Sequence, residues 1–226
     1  MRIRFGLMGF MMVGHLGAFD LVLDVGHTPK QSGAMSATCT QEYQYNRTLA
    51  THVARYVSQH SGIKVVVGSS QARPEISFRD RYASSYGKDL FLSLHHDSVQ
   101  KQYLHFDVNG CPSSEYASGF SLFVSRKNPY FSASLAYAQK IGVQLIAQGL
   151  HPSTHHSEPI AGENRELVDA ALGIYLFDDL KVLKFAKSPA VLLESGVIVN
   201  PWEEQVVRTE AYQDKIAKAI ASVENP

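Results

Sequence analysis

The sequence predicts a single α/β domain built on a six-stranded, mainly parallel sheet with helices on both faces. Three observations lead there. Short apolar runs rich in valine, isoleucine and leucine alternate with segments of helical spacing, the order that produces parallel sheets. The 226 residues, 45% of them hydrophobic, are enough for one sizeable core. Three of the apolar runs also end on a residue able to bind metal or exchange protons: L-V-L-D-V-G-His27, D-L-F-L-S-L-His95 and P-A-V-L-L-Glu194. In open α/β sheets, ligands gather outside the carboxyl ends of the strands.

The elements follow in chain order. Residues 20–25 read as a buried strand closed by Gly26, and a Pro-, Ser- and Gly-containing loop covers 28–40. From Gln41 to about His60, apolar residues recur at Tyr45, Leu49, Val53 and Tyr56, which is helical spacing. I-K-V-V-V-G at 63–68 has high β-propensity, 77–86 reads as a helix and 89–94 as the next strand. A long polar loop, 97–118, precedes a strand at 119–124. The helix 131–149 turns Leu135, Ala138, Ile141, Gly142 and Leu145 inward and stops at Gly149. Segment 150–175 is less regular, with a short helical candidate at 164–172. Strands at 180–185 and 189–194 complete the sheet. Asn200, Pro201 and Glu203 form a capping-box-like helix start. The last helix, about 209–223, turns Tyr212, Ile216 and Ile220 inward.

Lysine plus arginine and aspartate plus glutamate number 21 each. No single-sign field therefore exists to steer the protein to nucleic acid or acidic lipid, and a monomer is expected. The first 18 residues begin with two arginines, continue through an apolar stretch from Phe5 to Val13 and end on Gly17-Ala18, which is the order of a secretory signal peptide. That leaves 19–226 as the working domain, in the periplasm or secreted. A retained anchor or a buried first strand is the alternative. Cys39 and Cys111 suit an oxidising compartment. They fall in loops that follow two of the chemically marked strands, where a disulfide would join two walls of one site. Two unpaired cysteines, or Cys39 as a metal ligand, are the other readings.

Glu42 lies 15 residues after His27, at the head of a helix. With His27, His95 and Glu194 it makes two histidines and two carboxylates at one sheet edge, the donor types of a zinc hydrolase. Among ten histidines, some fall at strand ends by chance. Glu194 is open to two readings: a buried acid capping a turn, or a general base opposite a metal.

The landmarks V-G-His27, Glu42, Arg79, D-L-F-L-S-L-His95 and P-A-V-L-L-Glu194-S-G-V-I-V-N occur in order over about 180 residues. From Leu21 onward the chain resembles the zinc-dependent N-acetylmuramoyl-L-alanine amidases of the amidase-3 family. The resemblance implies a six-stranded sheet flanked by helices and one Zn2+ held by His27, Glu42 and His95. It further implies Glu194 as catalytic acid/base and peptidoglycan or muropeptides as substrate, cut between the lactyl group of N-acetylmuramic acid and L-alanine. It names no activating protein partner. Another secreted zinc peptidase or deacetylase, or a silent wall-binding or activator protein, would be the competing classes.

Three departures from the family pattern stand out. T-P-K-Q-S-G-A-M-S replaces the usual glycine- and aspartate-rich text after the first histidine. His96-Asp97 replaces a small residue after the second. Strand alternation allows one ligand of the His95-His96 pair, so His96 is expected to be a substrate contact or exposed. Segment 150–175 is long for the family and carries His155, His156 and Arg165 as candidate substrate contacts. It would be a flap over the site, an inhibitory latch or plain polar surface. Arg79 is expected to be a helix-to-sheet contact.

Overall fold

The computed structural model describes residues 18–68 and 75–224; the signal-like residues 1–17 lie outside the described residues. The elements run β1 (Asp20–Val25), α1 (Glu42–His60), β2 (Lys64–Val67), α2 (Phe78–Ala83) and β3 (Leu90–Asp97). Next come a two-stranded hairpin of β4 (His105–Phe106) and β5 (Pro112–Ser113), then β6 (Ser121–Val124), α3 (Phe131–Ala147), β7 (Leu167–Asp169) and β8 (Ile174–Leu176). The chain finishes with α4 (Lys181–Lys184), β9 (Ala190–Val197), α5 (Pro201–Val207) and α6 (Glu210–Ala221). No helix among the described residues is long and apolar enough to cross a membrane.

The main sheet has the order β2-β1-β3-β9-β6-β8-β7. The pairs β1/β2, β1/β3, β3/β9 and β6/β8 are parallel, and β6/β9 and β7/β8 antiparallel. Alternation along each strand divides the core in two. Leu21, Leu23, Val25, Leu90, Leu92 and Leu94 face the larger cluster with α1, α3 and α6. Val22 and Phe91 face a smaller one on the opposite side, which α4 seals with Val182 and Leu183.

Seven strands stand where six were expected, and the difference has a local cause. Residues 180–185 form the short helix α4 rather than a strand, because the adjacent Val182 and Leu183 are both buried on one side. An apolar run that short carries no decisive period. Between them, 167–169 and 174–176 supply two three-residue strands in place of the expected helix at 164–172. Asn200 does cap α5 by accepting from the Trp202 and Glu203 amides. The capping box is only half formed, since the Glu203 carboxylate turns away to accept from the amides of Gly119 and Val197.

The helix-to-sheet contact comes from Arg81, not Arg79. Arg79 is exposed, whereas the Arg81 guanidinium is buried and grips the Asp24 carboxylate through Nε at 3.0 Å and Nη2 at 2.5 Å. Ser93, the register partner of Asp24, donates to the same carboxylate at 2.6 Å. The clamp joins β1, β3 and α2 a few residues before His27 and His95.

The loop 28–40 is tethered from outside the sheet. Cys39 and Cys111 are joined by a disulfide spanning 72 residues. In the chain-entropy account, closing such a loop contributes about 4 kcal/mol. The buried Glu204 carboxylate on α5 accepts from Thr38 and Tyr45 and pairs with Arg208. Burial pushes its pKa up, but the hydrogen bonds from Thr38, Tyr45 and Ser36 and the Arg208 charge outweigh that and hold it below the usual carboxylate range.

Two outcomes follow. Asp24→Ala strands a buried guanidinium and is expected to lower unfolding free energy by about 3–5 kcal/mol in urea titrations; a loss under 1 kcal/mol would refute the clamp. For Glu204 the folded pKa is depressed, so its stabilisation is present above the unfolded value of 4.5 and is lost as pH falls through the folded value. Glu204→Gln should accordingly be less stable than the parent at pH 7, with the gap closing in acid; a gap independent of pH would remove this role.

Candidate functional site

His27 follows β1 directly and adopts a left-handed backbone, φ 65°. That conformation is uncommon outside glycine, and such residues gather at functional sites. The turn the sequence assigned to Gly26 is therefore made by His27 itself. Gly26 is required for another reason: a Cβ there would sit 2.6 Å from the His95 ring. Gly33, at φ +78°, is constrained likewise, since its Cβ would lie 2.2 Å from Glu42 Oε2 and 2.7 Å from His27 Nε2.

Glu42, in the first turn of α1, is the centre of the cluster. Its Oε2 accepts from the Ala34 amide at 3.0 Å and lies 3.0 Å from His27 Nε2. Its Oε1 lies 3.1 Å from His95 Nδ1 and accepts from Asn46 Nδ2 at 3.0 Å and the His96 amide at 3.3 Å. Burial pushes the Glu42 pKa up, yet hydrogen bonds from His27 and His95 overcome it and hold the carboxyl well below its ordinary range. Burial lowers His95 despite the Glu42 charge. The His27 and His95 rings meet edge-on at 4.8 Å, and one donor atom from each of His27, Glu42 and His95 fits within a 4.8 Å cluster. His27 keeps 32% of its side chain exposed, so the cluster opens to solvent on one side.

Two imidazoles and a carboxylate are the donors zinc takes in hydrolases, with a fourth position left open. His95 Nε2 is buried without a hydrogen-bond partner, the kind of vacant donor a bound ion satisfies. The residues therefore fit the metal.

Glu194 pairs in register with His95 across β3/β9. Its Oε2 is buried and unpartnered. Burial, reinforced by the negative charges of Asp97 and Glu42 and only partly opposed by Arg165, pushes its pKa well above the ordinary carboxylate value. One carboxyl is thus held ionised and its neighbour is driven toward neutrality.

Of the remaining candidates, His96 is not exposed: it is 3% accessible, with Nδ1 2.8 Å from Asn46 Oδ1. The register shifts between His95 and Asp97, and both rings approach α1 instead of pointing to opposite faces. Burial lowers the His96 pKa to about 4. His155 and His156 are buried in the short turn at 155–157, beside Asp97. Arg165 packs over the Phe177 ring at 4.1 Å and donates to Glu163. Sequence reasoning missed Asn46 and Asp97. Both had a signal: Asn46 lies one helical turn after Glu42, and Asp97 two residues after His95 on a strand.

The fold and the donors at its carboxyl edge define an α/β protein with a buried, unpartnered carboxyl beside a histidine–glutamate cluster. The sequence model of the family described as N-acetylmuramoyl-L-alanine amidase matches residues 21–223. The chain belongs to that family, enzymes that hydrolyse an amide bond of peptidoglycan. The N-acetylmuramoyl-L-alanine amidase AmiA of Escherichia coli is 24% identical over 224 residues, covering 89% of this chain and 73% of that protein. The fold is similar to that of the N-acetylmuramoyl-L-alanine amidase of Clostridium difficile 630 (TM-score 0.69, 23% identity, 91% of this chain and 94% of that one). It is similar too to Ami1 of Mycobacterium abscessus (TM-score 0.70, 18% identity, 92% and 97% covered).

The glycine contacts are directly testable. Gly33→Ala should displace Glu42 or His27 by an ångström or so and lower peptidoglycan hydrolysis about 100-fold while the far-ultraviolet circular dichroism stays unchanged. Parental activity in this variant would mean that the cluster geometry is not needed.

Proposed function

We propose that this chain is a zinc-dependent amidase that cuts between the lactyl group of N-acetylmuramic acid and the L-alanine of the stem peptide. His27, Glu42 and His95 hold the ion, and Glu194 exchanges the proton. The observation that carries this reading is the convergence of three zinc-type donors from separate segments beside a carboxyl in register with one of them. When bound, zinc supplies Lewis-acid polarisation of the scissile carbonyl and lowers the pKa of the attacking water.

The chain's own groups do the rest. Glu194 takes the proton from the attacking water and delivers it to the departing alanine nitrogen. A carboxyl pushed upward by burial suits that exchange, because it is a stronger proton acceptor than an ordinary carboxylate. Glu42 stays ionised and orients both imidazoles, and Asn46 and the Ala34 amide hold Glu42 in turn. The open side at His27 admits the substrate. The disulfide and the signal-like residues 1–18 support action outside the cytoplasm, in the periplasm or secreted.

Glu194→Gln keeps the side chain's shape and removes its basicity. It is expected to retain bound zinc by elemental analysis and to lower turnover about 10²- to 10⁴-fold. The readout is mass analysis of digested muropeptides for separated stem peptide and glycan. Undiminished release by this variant would end the acid/base assignment, and products cut at another bond would end the substrate assignment.

A further inference from the structure

The geometry points to a second divalent-cation site, distinct from the first, formed by Asp97, His155 and His156. One donor atom from each lies within a common 4.8 Å, and all three residues are buried. His156 Nε2 approaches Asp97 Oδ2 at 2.7 Å and His155 Nε2 approaches the same oxygen at 3.4 Å. Donors about 2.0–2.1 Å from a tetrahedral ion stand roughly 3.3 Å apart, so this spacing needs little change to admit one.

The other ring nitrogens are already engaged. His155 Nδ1 lies 2.8 Å from Ser153 Oγ, and His156 Nδ1 2.8 Å from Glu163 Oε2. This is how ligand histidines are oriented elsewhere: one nitrogen held by an acceptor behind the ring, the other aimed at the ion. Glu163 is itself held by Gln100 at 2.8 Å and Arg165 at 3.0 Å. The His156 ring packs edge-on against Phe123 and Tyr175.

A proton shared between His156 and its two carboxylates does not account for the whole arrangement. It leaves His155 Nε2, on a residue 7% accessible, buried and facing Asp97 at 3.4 Å without a side-chain hydrogen bond of its own. A cation on Asp97 satisfies that nitrogen and His156 Nε2 together. Two imidazoles and one carboxylate select an ion of the zinc class over magnesium or calcium. Bound there, it would fasten the 153–163 segment to the end of β3, two residues from His95.

The full chain, stripped with chelator and titrated with zinc, should bind two equivalents by native mass spectrometry. His155→Ala and His27→Ala should each bind one. One equivalent in the parent, unchanged in His155→Ala and lost in His27→Ala, would overturn the second site and leave the first intact. One equivalent lost only in His155→Ala would uphold the second site and overturn the assignment of the first. Should His155→Ala not fold, cadmium-113 NMR of the parent and of His27→Ala decides: a resonance that persists in His27→Ala supports the proposal, and a single resonance that His27→Ala abolishes refutes it.

Discussion

The Glu42 carboxylate is the contact on which the arrangement of the site depends. Five groups from four segments converge on its two oxygens: His27 after β1, Ala34 in the following loop, Asn46 on α1, and His95 with the His96 amide on β3. A buried carboxylate is costly unless it is hydrogen-bonded, and here both oxygens have donors. Removing the charge would leave these donors with nothing to converge upon. The left-handed turn at His27 and the absence of side chains at Gly26 and Gly33 are steric conditions of the same convergence.

The surrounding structure keeps that convergence rigid. Arg81, Asp24 and Ser93 lock β1 to β3 on the opposite face of the sheet, so the two histidine-bearing strand ends cannot slide apart. The disulfide and the Glu204 network fix the loop that carries Ala34 and leads to Glu42. Glu194 arrives from β9, the strand at which the sheet changes from parallel to antiparallel pairing. Two carboxyls near one another thereby acquire opposite tendencies. Hydrogen bonds from the histidines keep Glu42 ionised, whereas burial without partners drives Glu194 toward its neutral form. Opposite environments thus push the two carboxyls' pKa values apart.

Much of the fold is legible in single stretches of sequence. The strands β1, β3 and β9 are long apolar runs, and α1, α3 and α6 repeat their apolar residues at helical spacing. Asn200 and Pro201 announce α5 through local cap chemistry alone. The candidate ligands could be named because each ends a strand or heads a helix, and strand ends share an edge in a parallel sheet. Short elements were not legible. Val182 and Leu183 suit a strand or a helical turn equally, and β7 and β8 are three residues each, too short to show a period.

By itself the sequence determined the α/β class, the number of long elements and the donors available at the carboxyl edge, because these depend on local pattern. Only the tertiary structure decided which of two nearby arginines enters the sheet, since Arg79 and Arg81 differ in the face α2 presents and not in chemistry. It likewise decided that His96 is buried beside α1, through a register shift that strand alternation cannot foresee. And it brought His155 and His156 to Asp97, more than fifty residues away, a meeting that depends on how β8 and β6 carry the 150–175 segment to the sheet.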